Sequence, residues 1–161
     1  MELLRSGDYE YLDRSAPGLS RDEVEEIYRR SFFSDVYLMS ANAITENGEL
    51  YNVDGNSNRV AALLYGPRRV IVIAGINKIV PDLPAAIARV KTIAAPKNCV
   101  RLSCDTPCFH TGECISLSRP DSLMADGCDS NDRVCCNYVV TTKQRKPGRI
   151  HVLLVNETLG F

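Results

Sequence analysis

The stretch Asn42-Ala-Ile-Thr-Glu-Asn-Gly-Glu-Leu-Tyr-Asn-Val-Asp-Gly-Asn-Ser-Asn-Arg59 decides how this chain folds. Asn47-Gly48 predicts a two-residue hairpin turn, since both central residues of a type I′ turn need a positive φ. The apolar residues 60–65 predict a helix, which Asn56 or Ser57 can cap. A hairpin that leads through a Gly/Asn loop into a helix N-terminus offers free backbone N–H groups to an anion. A purely structural turn and cap fits the same residues, so the stretch alone leaves both interpretations open.

The composition is that of an ordinary globular domain. The chain has 161 residues, of which 45% are hydrophobic and 24% charged, which is enough for one domain with a sizeable core. A net charge of -1 argues against nucleic acid or an anionic membrane as a partner. No apolar run approaches the roughly 20 residues that span a bilayer, and the chain opens without a secretory signal pattern. We therefore expect a cytoplasmic protein with no membrane span.

Short, continuous apolar runs predict the strands. Residues 36–39, 70–74 and 152–155 are typical of strands that are buried on both faces. We expect these three strands to run parallel at the centre of the sheet. A charged substitution at Ile71 or Leu153 would then bury an unpaired charge.

Two helices carry clear start signals. Ser20 and Glu23 fit a capping box. Asp82 is placed to cap a second helix, with Pro84 in its first turn and its end at about Pro96. Strands that alternate with helices predict an α/β fold, with a mostly parallel sheet and helices on both of its faces.

Polar residues follow the predicted strands and precede the helix at residues 60–65. In parallel α/β sheets, ligands bind beyond the carboxyl ends of the strands. The candidate ligand-binding residues are Asn42, Asp54, Gly55, Asn56, Lys78 and Asn156. Lys78 and nearby backbone N–H groups suit a phosphate or a carboxylate, and we expect loop 54–58 to lie close to Asn42 and Asn156. Loop composition alone also explains these residue types, because turns attract Gly, Asn and Ser.

All seven cysteines lie between residues 99 and 136. In a reducing cytosol, such cysteines are free thiols or metal ligands rather than disulfides. Thiolates that converge on zinc or an iron–sulfur cluster would explain a long loop in a small domain. No Cys-x-x-Cys pair occurs, so the spacing matches neither a zinc ribbon nor a bacterial ferredoxin. Buried free thiols are the alternative.

Common catalytic signatures are absent from the sequence. A nucleophilic cysteine needs a histidine partner, and only His110 and His151 are available. No Walker loop, Gly-x-Ser-x-Gly or Gly-x-Gly-x-x-Gly motif occurs. The motifs therefore give no evidence of catalysis and leave the question of an enzyme open.

Four segments of the chain resemble the lactate utilisation (LUD) domain, and within it the stand-alone bacterial subgroup formerly listed as a domain of unknown function. The segments are residues 41–62, residues 70–80, the run Thr106-Pro-Cys-Phe-His-Thr-Gly-Glu-Cys114 and residues 149–161. The resemblance implies a single LUD-type domain over residues 1–161, with a cysteine-rich loop at 99–137. It also implies a fold similar to ribose-phosphate isomerase, glucosamine-phosphate deaminase and the CoA transferases.

The resemblance implies a function in lactate utilisation. The chain would be a component of an iron–sulfur-linked lactate oxidation system, with other proteins of that system as partners. The alternatives are a domain that binds or transfers a small phosphate or carboxylate ligand and holds a structural zinc, or a regulatory partner without catalysis.

The chain departs from its relatives at two places. Relatives usually begin with about 50 further residues, so the resemblance implies that this chain starts inside the family domain. Relatives also carry a compact Cys-x-x-Cys where this chain has a longer loop. The metal ligands carried over by the resemblance are Cys108, Cys114, Cys128 and Cys136, with Cys135 as the alternative to Cys136. Cys99 and Cys104 would then be bystanders.

Overall fold

The computed structural model describes residues 2–161. The strands are β1 (Val36–Met39), β2 (Ala43–Thr45), β3 (Leu50–Asp54), β4 (Arg69–Gly75), β5 (Ile79–Val80), β6 (Asn137–Thr141) and β7 (Ile150–Val155). The α-helices are α1 (Arg21–Arg30), α2 (Asn58–Leu64), α3 (Leu83–Arg89), α4 (Ala95–Leu102) and α5 (Pro107–Thr111). A π-helical segment, Val90–Ala94, joins α3 to α4. Among residues 2–161, no helix is long and apolar enough to cross a membrane.

The fold is α/β and contains two sheets. Sheet A is wholly parallel in the order β1-β4-β7, with Leu38 opposite Ile71 and Ile73 opposite Leu153. Its three strands are the three that the sequence predicts to be parallel, and β4 lies in the middle. Sheet B is mixed, in the order β5-β2-β3-β6, and holds the hairpin β2–β3. The likeness to isomerases and CoA transferases stays a prediction.

The hairpin turn differs from the two-residue type I′ turn that Asn47-Gly48 predicts. Only Gly48 has a positive φ, at 91°, whereas Asn47 does not. The N–H of Gly48 donates to the Thr45 carbonyl at 2.9 Å, and the N–H of Thr45 donates to the Glu49 carbonyl at 3.0 Å. This is a three-residue loop that ends in a left-handed glycine, a geometry that also suits the twist of a hairpin.

The core consists of two apolar clusters, one on each face of sheet B. Leu50, Val70 and Val72 belong to the cluster between the two sheets, together with Leu63 of α2. On the other face of sheet B, Tyr51 packs in a second cluster against residues of α3 and the π-helical segment. Sheet B is therefore covered on both faces.

One face of β1 and β4 is exposed, and so are both faces of β7, where Val152 and Leu154 are 41% and 54% exposed. The expectation that these strands are buried on both faces is therefore wrong. Val36 and Leu38 of β1 and Ile73 of β4 are exposed, and Leu153 of β7 is 52% exposed. Among residues 2–161, no helix packs over these side chains. The prediction that a charge at Leu153 would be buried is therefore also wrong.

The second helix continues beyond its predicted end. Asp82 accepts from the N–H of Ala85 at 2.8 Å and caps the helix as predicted, but the helix passes through Pro96 to Leu102. The N–H of Ala95 donates five residues back, to Val90. The next bond in that pattern would need an N–H that Pro96 lacks. The wide π-helical turn accommodates this gap without breaking the helix.

A matched pair of substitutions in sheet A tests this burial pattern. Val72 is fully buried and Leu153 is half exposed. We expect Val72→Asp to lower the free energy of unfolding by on the order of 3 kcal/mol or more, because the carboxylate would lose its water. Leu153→Asp should cost less than about 1 kcal/mol. Urea denaturation of both variants measures the difference, and equal losses would contradict this burial pattern of sheet A.

Candidate functional site

The carboxylate of Asp54 caps the N-terminus of α2. Its Oδ2 accepts from the backbone N–H groups of Arg59 at 3.0 Å and of Val60 at 3.2 Å. Ser57, at φ 64°, makes no side-chain bond to the helix end, and Asn56 is exposed. The prediction that Asn56 or Ser57 caps this helix is therefore wrong. Asp54 therefore already binds two of the backbone N–H groups at this helix N-terminus, which the sequence predicts to be free for an anion.

The Arg59 side chain binds acceptors from three directions. One terminal nitrogen donates to the Ser40 carbonyl at 3.0 Å and to Asn52 Oδ1 at 2.7 Å. The other donates to Asn42 Oδ1 at 2.9 Å and to the Val53 carbonyl at 2.8 Å. These bonds hold the start of α2 close to Asn42, the residue before β2.

Two further cations are buried next to Arg59. Lys78 is 5% exposed, and its Nζ donates to Ser40 Oγ at 3.0 Å. Arg89 is 7% exposed and donates to the carbonyls of Asn77 and Asn42 at 3.1 and 2.6 Å. We call Arg59, Lys78 and Arg89 the cation cluster.

The cation cluster is short of negative charge. Asp54 lies 3.9 Å from Arg59. Within residues 2–161, no carboxylate lies within 4.0 Å of Lys78 or Arg89. Burial lowers the pKa of Lys78, and the charges of Arg89 and Arg59 lower it further. The site is therefore electrostatically suited to an added anion.

Two amide side chains line the same region. Asn42 Oδ1 also accepts from the N–H of Val53 at 2.9 Å, so Asn42 is fixed from two sides. Asn52 is fully buried, and its Nδ2 has no hydrogen-bond partner among the described residues. A buried amide donor without a partner is uncommon in folded proteins and is a place to look for a ligand.

The other predicted ligand residues lie apart from the cation cluster. Gly55 packs against Val134, since a Cβ built on it would come within 3.4 Å of that residue's carbonyl oxygen. Asn56 and Asn156 are exposed. In the described part of the chain, Asn156 makes no hydrogen bond to the cluster, so the expected proximity to loop 54–58 is not seen for this residue.

The last residues of the chain lie over Lys78. Asn77 donates to the Gly160 carbonyl and accepts from the N–H of Leu159, both at 3.1 Å. A Cβ built on Gly160 would lie 3.7 Å from Lys78 Nζ. The segment therefore covers the ammonium group and is held by Asn77.

A second feature lies on the other side of sheet B. Five thiols line a cavity of about 30 Å³, which we call the thiol cavity; they belong to Cys99, Cys108, Cys114, Cys128 and Cys135. The Sγ atoms of Cys99 and Cys108 are 3.7 Å apart. Cys99 is thus a direct neighbour of Cys108, so one of the two predicted bystanders lines the cavity.

Cys136 does not face the thiol cavity. It is exposed, and its thiol contacts the Arg133 carbonyl. Cys135, the predicted alternative to Cys136, is the member of the doubled cysteine that lines the cavity. His110 is also exposed and pairs with Asp105. Among residues 2–161, no group of three or more Cys, His, Asp or Glu side chains is already arranged to hold a metal ion.

Comparison with known proteins adds one finding. A model of the LUD domain family matches residues 1–155, which is nearly the whole chain. No curated protein and no solved structure matches the chain.

Removal of the Asp54 carboxylate tests its role at α2. Asp54→Ala should lower the free energy of unfolding by about 1 kcal/mol or somewhat more, because the N–H groups of Arg59 and Val60 lose their acceptor. Asn56→Ala is the matched control in the same loop and should leave stability unchanged. Thermal or urea unfolding compares the two, and a larger loss for Asn56→Ala would show that the cap is assigned to the wrong residue.

Proposed function

The chain belongs to the LUD domain family, which is associated with lactate utilisation, and we propose that it binds a small carboxylate or phosphate anion at the cation cluster. The observation that carries the proposal is the burial of Lys78 and Arg89 with no carboxylate partner among the described residues. A hydroxy-acid carboxylate such as that of lactate is the ligand that agrees best with the family association.

The energetic argument concerns the cost of a buried charge. Taking an ammonium or guanidinium group out of water costs several kcal/mol unless an opposite charge compensates it. Lys78 has one hydrogen bond, to Ser40 Oγ, for its three donor positions. An anion beside Lys78 and Arg89 would supply both the charge and the missing acceptors. The fold would then hold both cations in position before the ligand binds.

The neighbouring amides support recognition of an oxygen-rich ligand. The free Nδ2 of Asn52 can donate to a carboxylate, phosphate or hydroxyl oxygen. Asn42 and Asn52 are both held by Arg59, so their orientation is set before a ligand arrives. A preorganised amide loses little conformational entropy on binding.

The C-terminal segment determines access to the ammonium group. Gly160 and Leu159 lie next to Lys78 and are held there by the side chain of Asn77. A ligand that reaches Lys78 would displace this segment or bind under it. The proposed site is therefore a covered one, in which bound anions would be shielded from water.

Substitution of Lys78 tests the anion site. L-lactate and inorganic phosphate are titrated separately into the purified chain at constant ionic strength, with isothermal calorimetry as the readout. Lys78→Met should weaken binding on the order of tenfold or more, because a charge-assisted hydrogen bond is lost. The exposed Lys146→Met serves as the matched control and should bind like the wild type. The proposal fails if neither anion binds the wild type, or if Lys78→Met binds as well as Lys146→Met.

The pH dependence follows from the lowered pKa of Lys78. Between that pKa and the ordinary value of 10.5, the unfolded chain carries a proton at Lys78 that the ligand-free folded chain lacks. In this window the contribution of Lys78 to the free energy of unfolding therefore rises with pH. An anion favours the protonated amine, so binding in the same window should take up a proton. Calorimetry in buffers of different ionisation enthalpy measures this uptake, which Lys78→Met should abolish.

A component of an iron–sulfur-linked lactate oxidation system is the second candidate function. The five thiols on one cavity support it, because iron–sulfur clusters are held by cysteine thiolates. Other proteins of such a system would then be its partners. Iron and acid-labile sulfide in protein purified without oxygen would favour this role, and protein without either would count against it.

A further inference from the structure

The thiol cavity is assembled from distant parts of the chain. Cys99 comes from α4, Cys108 from α5, and Cys114 from the segment that follows. Cys135 comes from the residues just before β6. Cys128, from the loop between Cys114 and Cys135, also lines the cavity, so five cysteines contribute a thiol to one small space. A cavity of about 30 Å³ has room for one ion or water molecule and little more.

The closest pair of sulfur atoms already has the spacing of two ligands on one metal. Zinc–thiolate bonds of about 2.3 Å in a tetrahedron place the sulfur atoms about 3.8 Å apart. The Sγ atoms of Cys99 and Cys108 are 3.7 Å apart. Cys114 and Cys135 line the same small cavity as this pair.

Buried hydroxyl groups contact two of these sulfurs. Thr106 Oγ1 lies 3.4 Å from the sulfur of Cys108, and Ser116 Oγ lies 3.3 Å from that of Cys114. Thr106 and Ser116 are both buried. Hydroxyl groups that donate to ligand atoms orient those ligands and tune a metal centre. These contacts match what a thiolate site needs around its ligands.

Two cations border the same cavity. Lys91 is 6% exposed and donates to Ser122 Oγ and to the Leu123 carbonyl at 2.9 and 2.8 Å. Arg133 donates to the carbonyls of Cys135 and Cys128. Neither cation forms an ion pair within residues 2–161. Asp126 also lines the cavity, so the charged side chains around it sum to +1. This positive charge offsets part of the −2 charge of a divalent metal with four thiolates.

We propose that Cys99, Cys108, Cys114 and Cys135 form a tetrathiolate site for a single divalent metal ion of the zinc type. In the described structure the sulfurs line the cavity without meeting at a common point, so the proposed site requires the four side chains to move together when the metal binds. Four protons leave as the four thiols become ligands, and no electron is transferred. The site is independent of the anion proposal, since the cation cluster contains none of these residues.

Metal titration of the full chain tests the ligand set. Reduced, metal-free protein is titrated with Co²⁺ without oxygen, and Zn²⁺ is then added as a competitor. We expect one Co²⁺ per chain, with thiolate-to-cobalt charge-transfer absorption and the strong visible bands of tetrahedral cobalt, and displacement by Zn²⁺. Cys99→Ser should weaken binding at least about tenfold and reduce the charge-transfer band. Cys136→Ser, with its exposed thiol, is the control and should behave like the wild type.

Alkylation of the wild type provides a test that needs no variant. With Zn²⁺ bound, Cys99, Cys108, Cys114 and Cys135 should be protected, while the exposed Cys136 should still react; mass spectrometry assigns each site. Circular dichroism checks that Cys99→Ser folds. The proposal is overturned if the wild type binds no Co²⁺ or Zn²⁺, if Cys136→Ser loses the metal while Cys99→Ser keeps it, or if metal enters only as iron together with sulfide.

Discussion

The guanidinium of Arg59 joins the two sheets. Its four hydrogen bonds reach the end of β1 at Ser40, the residue Asn42 before β2, and Asn52 and Val53 in β3. A guanidinium presents its donors in a rigid, planar fork, so its four acceptors must keep fixed relative positions. The end of sheet A, the hairpin of sheet B and the start of α2 are therefore held as one unit. A lysine at this position, with three donors on one nitrogen, could not hold the same acceptors.

Strand β3 separates the two candidate sites. Tyr51 borders the thiol cavity, whereas the next residue, Asn52, reaches Arg59 in the cation cluster. Neighbouring residues of the long helix are divided between the two sites in the same way. Arg89, at the end of α3, belongs to the cation cluster, and Lys91, in the π-helical segment, borders the thiol cavity. Side chains alternate between the faces of a strand, so a slip of one residue would exchange them. The register of β3 therefore fixes the environment of both sites together.

The sequence predicts correctly those helix caps and strands that depend on residues close together in the chain. Ser20 and Glu23 form the predicted capping box, Asp82 caps the second helix, and the three apolar runs became the strands of sheet A. The pairing of β6 with β3 and the bare face at Leu153 were not foreseen. Both depend on which segments, distant in the sequence, come to lie beside or over a strand. An apolar run in the sequence looks the same whether or not another segment covers it.

The candidate sites were only partly predictable for a related reason. Lys78 could be found because it follows a strand, but Arg89 sits on an amphipathic helix, where charged residues are usually assigned to the solvated face. Cys99 was predicted to be a bystander because it lies nearer the preceding helix and outside the ligand set that the resemblance carries over. Its place depends on the helix continuing through Pro96, which has no N–H for the Lys91 carbonyl. The N–H of Cys114 donates to that carbonyl instead, at 2.9 Å. One missing helical bond thus docks the cysteine-rich loop on the helix that carries Cys99, and this is why the thiols of α4 and the loop share a cavity.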